Sequence, residues 1–295
     1  MTLEPRLVVV TRASAYRELL DRHGTPGAVE FFLRDRDPGE LERLRAQHDA
    51  WTRTLEAVAA AVPAGWRTGR ADRSELAAFP FAAGDVVVAV GPDGLVANVA
   101  KYLDGQPVLG IDPAGVAVLC RLTVDQLPAA LAAVAEGTAT VQERCTVLAR
   151  LDDGQTLRGL NEVFVGDRGH QSARYRLRLP DGRVEVQSSS GLVVGTGTGA
   201  TGWCASLART PGAPPLPMPD EPALAWFVRE AWPSPATGAD LVAGRLTADE
   251  RLELVVGSDS LVVFSDGGEA DRLTAVRGSR VTVGLAAQRL RLVVG

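Results

Sequence analysis

Residues 85–112 read DVVVAVGPDGLVANVAKYLDGQPVLGID, and the reading of the fold starts from them. Asp85–Gly91 is a continuous, mostly β-branched apolar run, the composition of a strand buried on both faces of a parallel sheet. Pro92-Asp93-Gly94 breaks it. Residues 95–103 return to a helical pattern and Pro107–Asp112 supplies the next apolar strand, so the stretch predicts a compact βαβ unit. Upstream, Leu7–Thr11 (LVVVT) predicts another strand, and the stretch that follows to Arg34 carries spaced apolar positions and charges that suit a helix. Residues 40–62 form the longest helical pattern, with Leu41, Leu44, Trp51, Leu55 and Val58 near the i, i+3, i+4 spacing.

After about residue 122 the alternation of strand and helix gives way to hairpins. Thr146–Arg150, a DDG turn and Thr156–Val165 predict one; Ala173–Leu179, a PDG turn and Arg183–Gln187 predict a second. Pro211–Pro222 reads as a loop, and residues 251–264 and 280–294 as further strands. The expected architecture is an α/β domain with a parallel sheet over residues 1–122 and a β-rich domain over 123–295.

A chain of 295 residues fits two domains at about 150 residues each. The 31 Lys and Arg against 36 Asp and Glu give a net charge of −5, and the charge clusters have mixed sign. That predicts no nucleic-acid or anionic-membrane partner. Lys101 is the sole lysine, so a P-loop or Schiff-base enzyme would have to use it; a solvated helix lysine is the plainer reading. Cys120, Cys145 and Cys204 lie far apart, as do His23, His48 and His170, which argues against a zinc cluster or a disulfide framework. No apolar run approaches the ~20 residues that span a bilayer, and the first ten residues lack the apolar core of a leader. A cytoplasmic protein is expected.

Three stretches invite chemistry. Gly91-Pro92-Asp93-Gly94-Leu95 joins the carboxyl end of a buried strand to a helix amino terminus, the edge of an open α/β sheet where ligands bind. A carboxylate repels phosphate, so Asp93 there points to work on a proton or a metal ion. Against this, Pro-Asp-Gly is also a common turn. Gly195–Gly202 (GTGTGATG) contains a literal G-x-G-x-x-G, but only Trp203–Arg209 follows before the proline loop, too little for a Rossmann unit. Its alternating hydroxyls suit a polar ligand such as ribose or phosphate, or else a simple strand-to-helix turn. Asn161-Glu162 lies in an apparent strand, so one of the two faces an interior or a cleft, unless the segment is a solvated hairpin edge. Asp266 alone reads as a turn residue, Cys204 as a packed small hydrophobe, and His170 as a loop residue.

In chain order, GPDGL (91–95), LNEVFVG (160–166), SSGLVVGTGTGATGW (189–203) and SDGG (265–268) resemble the NAD kinase family, whose pattern is G-G-D-G-T, then N-E, then D-G followed by T-P-T-G-S-T-A-Y, then a late D-G. The S-S-G and T-G-T-G elements look closest to the mitochondrial-type NAD kinases. The resemblance implies a two-domain protein that assembles as a homodimer or higher oligomer. It implies ATP-dependent 2′-phosphorylation of NAD to NADP, with Mg²⁺ accompanying ATP. Asp93 would be the catalytic base, and Gly91 and Gly94 the phosphate-binding residues. Asn161 and Glu162 would contact the NAD nucleoside, Thr196, Thr198, Gly199 and Thr201 would line the dinucleotide site, and Asp266 would be a further polar contact. Ser190 stands where ordinary NAD kinases carry an acid and the mitochondrial-type proteins a serine, and it counts among the NAD-binding residues. Pro92 replaces the second glycine and removes an N–H, Leu95 replaces a threonine hydroxyl, and Gly202-Trp203 replaces Ala-Tyr. Two other functions fit the same motifs: a kinase for another nucleoside or a sugar, and a nucleotide-binding regulator without transfer activity.

Overall fold

The structure, a computed structural model, describes residues 5–210 and 212–294. Residues 1–4, part of the segment read against a leader, and Pro211 at the head of the proline loop lie outside the described residues. The chain divides into two compact units: one holds residues up to Tyr102, Gln106–Gln142 and the chain from Arg291, the other Leu103–Gly105 and Glu143–Leu290.

The first unit is built on a six-stranded sheet in the order Arg67–Asp72, Arg6–Thr11, Asp85–Val90, Pro107–Ile111, Leu290–Val293, Val141–Arg144. The pairings among the first five strands are parallel. Strand Asp85–Val90 is buried at every position, as its β-branched run requires. The βαβ unit read from the sequence is present, with helix Asp93–Ala100 between strands Asp85–Val90 and Pro107–Ile111. Leu7, Val86, Val88, Leu109, Leu127 and Leu131 meet in one core, against which Trp51, Leu55 and Val134 pack. This explains why the unit continues past residue 122: helix Leu127–Glu136 buries its apolar side in that core rather than in the second unit's.

The single helix suited to the stretch up to Arg34 is two, Ala15–His23 and Pro26–Leu33. Gly24 at φ +82° ends the first; the Thr25 hydroxyl caps the second and Pro26 opens it, where a missing N–H costs nothing. Helix Glu40–Ala60 follows as expected. Lys101, read as solvated, is 8% exposed. Its helix is buried throughout Leu95–Ala100 and carries the side chain inward.

The second unit consists of two six-stranded antiparallel sheets. One runs Val184–Ser189, Ala173–Arg178, Arg251–Val256, Arg280–Leu285, Val147–Leu151, Thr156–Gly159; the other runs Ala243–Leu246, Leu224–Arg229, Gly191–Gly195, Glu162–Gly166, Ser260–Ser265, Gly268–Val276. Alternate residues of both, among them Val163, Val165, Tyr175, Leu177, Leu192 and Leu254, form the core they share. Both predicted hairpins are present, with one difference. The strand read over 156–165 is two: Thr156–Gly159 pairs in the first sheet and Glu162–Gly166 in the second, with Leu160 and Asn161 at the break.

Candidate active site

In the first unit, the strand after Arg6–Thr11 in sequence lies on one side of it and Asp85–Val90 on the other. The loops at the carboxyl ends of these two strands therefore diverge, leaving the crevice in which α/β sheets bind ligands. A cleft of about 500 Å³ lies there, lined by Arg12, Ser14, Glu18, Trp51, Gly91, Pro92 and Asp112 among others. Ser14 caps helix Ala15–His23, and its hydroxyl meets His48 Nδ1 of the long helix at 2.7 Å, with the His48 ring stacked on Trp51. This ties two helices together at the cleft. Arg12 lies 3.7 Å from Glu18.

Asp93 opens the helix that follows Asp85–Val90. Its carboxylate is fixed from outside that helix: Oδ2 accepts the Val118 N–H at 2.7 Å and Oδ1 the Leu119 N–H at 2.6 Å. Each oxygen retains a lone pair. Pro92 contributes a carbonyl to the turn, accepting from the Leu95 N–H at 2.8 Å. The Leu95 side chain is buried and packs against Gly91, in the place the resemblance gives to a hydroxyl. Gly91 N–H donates to Ile111 O at 2.9 Å and Gly94 is exposed.

In the second unit, most of the remaining motif residues converge on the Leu160-Asn161 break. The Asp266 carboxylate accepts three successive N–H groups, from Leu160 (2.8 Å), Asn161 (2.7 Å) and Glu162 (3.3 Å), and the Asp266 N–H returns to Glu162 O at 3.2 Å. Asp266 sits at φ +50°, a region that Asp tolerates better than most residues. From the other side, the buried Thr196 hydroxyl donates to Leu160 O at 2.5 Å and accepts from the Thr198 and Gly199 N–H groups at 3.1 and 3.3 Å, while Thr196 N–H donates to Asn161 O at 2.9 Å. A side chain at Gly199 would strike Asn161 O. The glycine-threonine loop is thus folded onto the Asn-Glu segment.

Two groups in this knot stand out. The Thr198 hydroxyl is buried with no hydrogen-bond partner among the described residues. Burial, with the nearby Asp266 carboxylate second, raises the Glu162 carboxyl to about 7. Cys204 is fully buried beside it, and burial followed by the Glu162 charge pushes its thiol up to about 12. Cys204 is the packed small hydrophobe read from the sequence.

The structure therefore gathers Asn161, Glu162, Thr196, Thr198, Gly199 and Asp266. Thr201 touches the loop's edge, its hydroxyl donating to Thr198 O at 3.2 Å, and is exposed. Ser190 is not in the group: it precedes strand Gly191–Gly195 whereas Thr196 follows it, about 20 Å away at strand rise. Its N–H donates to Arg229 O. Asp112 and Trp51 were not marked by the sequence as site residues. The signal for Asp112 is an Asp-Pro-Ala-Gly turn directly after a buried strand; for Trp51 there is no local signal beyond its helical periodicity. Among the described residues no group of three or more His, Cys, Asp or Glu side chains is placed to hold a metal ion, and no helix is long and apolar enough to cross a membrane.

These features belong to an α/β unit joined in sequence to a unit of two packed antiparallel sheets, and known proteins share this fold. The solved yeast NADH kinase, in complex with NADH, superposes with a TM-score of 0.64 at 12% identity, covering 100% of this chain and 84% of that one. The fold is that of an NAD(H) kinase. Among curated proteins, the NAD kinase of Geobacter metallireducens is 26% identical over 217 residues, 71% of this chain and 73% of that protein. The NAD kinase of Chlorobaculum tepidum is 26% identical over 124 residues, 41% of this chain and 44% of that protein. No family model matches the chain. The resemblance read from four short motifs is thus supported by relatives that bear the same name and by the fold.

Proposed function

We propose that this chain is an NAD kinase-like phosphotransferase of the mitochondrial type, which moves the terminal phosphate of ATP to the 2′-hydroxyl of the adenosine ribose of NAD. The observation that carries the proposal is Asp93, a carboxylate anchored by two backbone N–H groups directly after Gly91 and Pro92, which line the cleft; Asp93 itself is not among the lining residues. That placement suits a general base. Asp93 takes the proton from the 2′-hydroxyl as its oxygen attacks the phosphorus in line; the bond to the bridging oxygen breaks and ADP leaves. No covalent intermediate on the protein is required. Mg²⁺ enters bound to ATP and offsets charge on the phosphates. Asn161 and Glu162 contact the NAD nucleoside, and the Thr198 hydroxyl, without a partner among the described residues, is the member of the threonine loop free to bond a ligand.

A second reading is favoured by a specific observation. Pro92 supplies no N–H and Leu95 no hydroxyl, so the loop offers phosphate fewer donors than G-G-D-G-T, and a protein that binds NAD without transferring phosphate fits this too. One experiment separates the two: incubate the purified protein with NAD and MgATP and measure NADP. Formation of NADP that falls about 10²–10⁴-fold in Asp93→Asn, with NAD affinity retained, is the expected result. NAD binding without turnover would select the regulator, and an Asp93→Asn protein with undiminished kcat would remove Asp93 from the mechanism.

A further inference from the structure

Six consecutive backbone N–H groups, from Ala114 to Leu119, are taken up by two aspartates. The Asp112 carboxylate accepts from Ala114 (3.0 Å), Val116 (2.9 Å) and Ala117 (3.1 Å), and Asp112 O accepts from Gly115 (3.0 Å). Asp93 then accepts from Val118 and Leu119. The segment is wound tightly around Asp112 and presents its last two N–H groups to Asp93.

Other contacts bring this segment to the same place. Gly115 turns at φ +70°, where other residues are strained. Gly110 lets the returning chain pass: a Cβ there would lie 2.8 Å from Leu119 O and 2.9 Å from Cys120 Cα. The Cys120 thiol donates to Gly91 O at 3.2 Å, and Leu122 N–H to Gly110 O at 3.3 Å. The segment's hydrogen-bonding anchors are Gly91 and Asp93 after strand Asp85–Val90, and Gly110 and Asp112 at the end of strand Pro107–Ile111. Val116 and Val118 are 84% and 50% exposed, so apolar burial anchors the segment only at its end, where Leu119 is buried; before that, hydrogen bonds to the carboxylates hold it.

We infer that Asp112 is a positioning residue for Asp93: it shapes residues 113–119 so that the Val118 and Leu119 N–H groups orient the Asp93 carboxylate. The inference rests on the reading of Asp93 as the base. A misplacement of a reacting group by about 1 Å costs about 100-fold in rate. Asp112→Ala, which deprives three N–H groups of their acceptor, is expected to lower kcat about 10- to 100-fold with KM for NAD within about two-fold. Asp112→Asn, which keeps a carbonyl acceptor, is expected to recover part of the loss.

The decisive measurement is the cycle of wild type, Asp93→Asn, Asp112→Ala and the double variant, assayed for NADP formation. A residue that acts through Asp93 has nothing left to contribute once Asp93 is gone, so the double variant should match Asp93→Asn. Losses that multiply, or a wild-type kcat in Asp112→Ala, would overturn the inference. Hydrogen–deuterium exchange over residues 112–122 gives a readout that needs no turnover. Faster exchange there in Asp112→Ala than in wild type is expected, and unchanged exchange overturns the inference even if the wild type forms no NADP. Wild-type kcat in Asp93→Asn would instead refute the base assignment, leaving the exchange result to decide the link between the two aspartates.

Discussion

Glu162 provides a test that depends on burial first and on the Asp266 charge second. In water a glutamate carboxyl titrates near 4.5; in the folded protein, burial and the Asp266 carboxylate hold it near 7. Between these values the native state holds a proton that the unfolded chain has released, so the native state binds more protons and stability falls as pH rises. The contribution is complete below about pH 4.5 and lost once pH passes 7. Linkage between 4.5 and about 7 gives a loss of about 2.5 kcal/mol from pH 5 to pH 8. Glu162→Gln keeps the shape and removes the proton, so its stability relative to wild type should climb by that amount over the same range. Urea unfolding of both proteins at pH 5, 6.5 and 8, followed by circular dichroism, measures it. A difference between the two proteins that stays flat across the three pH values would refute the buried, proton-holding environment assigned to Glu162.

Two further substitutions probe the knot around Asn161. Thr196→Val removes a buried hydroxyl that serves one acceptor and two N–H donors, and should cost about 3 kcal/mol in denaturant unfolding while weakening NAD binding; a loss under about 0.5 kcal/mol would contradict its role as the clasp. Asp266→Ala abandons three N–H groups and leaves alanine at positive φ, so a loss of about 3 kcal/mol or more is expected, with Asp266→Asn about half as damaging. Thermal unfolding monitored by calorimetry compares the two, and equal losses would mean that the one acceptor oxygen Asn retains holds none of these N–H groups.

Asp266 also shows how a site residue can be present and yet differ in kind from what its motif suggests. The SDGG stretch reads as a turn and, by resemblance, as a dinucleotide contact; in the fold the Asp266 oxygens are directed to the backbone of residues 160–162. Thr196 is similar: its hydroxyl is consumed by Leu160, Thr198 and Gly199, and only Thr198 keeps an uncommitted hydroxyl in that stretch. Hydroxyls and carboxylates are visible in a sequence, but the partner each one finds is not.

What is local in physics was legible. The β-branched run 86–88, the Pro-Asp-Gly break and the DDG and PDG turns fix conformation within a few residues, so the central strand, the βαβ unit and both hairpins follow from composition and period. Although the apolar spacing over 15–33 reads as a single helix, its break at Gly24-Thr25-Pro26 belongs to the same local physics, because its cap and its proline are adjacent in the chain. The strand break at Leu160-Asn161 does not, since the group that draws those N–H groups out of the ladder is Asp266, more than a hundred residues later. Nor does the burial of Lys101, the return of Leu290–Val293 to the first sheet, or the approach of the Val118 and Leu119 N–H groups to Asp93. The chain by itself determined which segments are strands, which are helices and which residues could do chemistry. Which backbone groups each carboxylate holds was decided by tertiary structure, because a hydrogen bond goes to whatever donor the fold brings near, irrespective of distance along the chain.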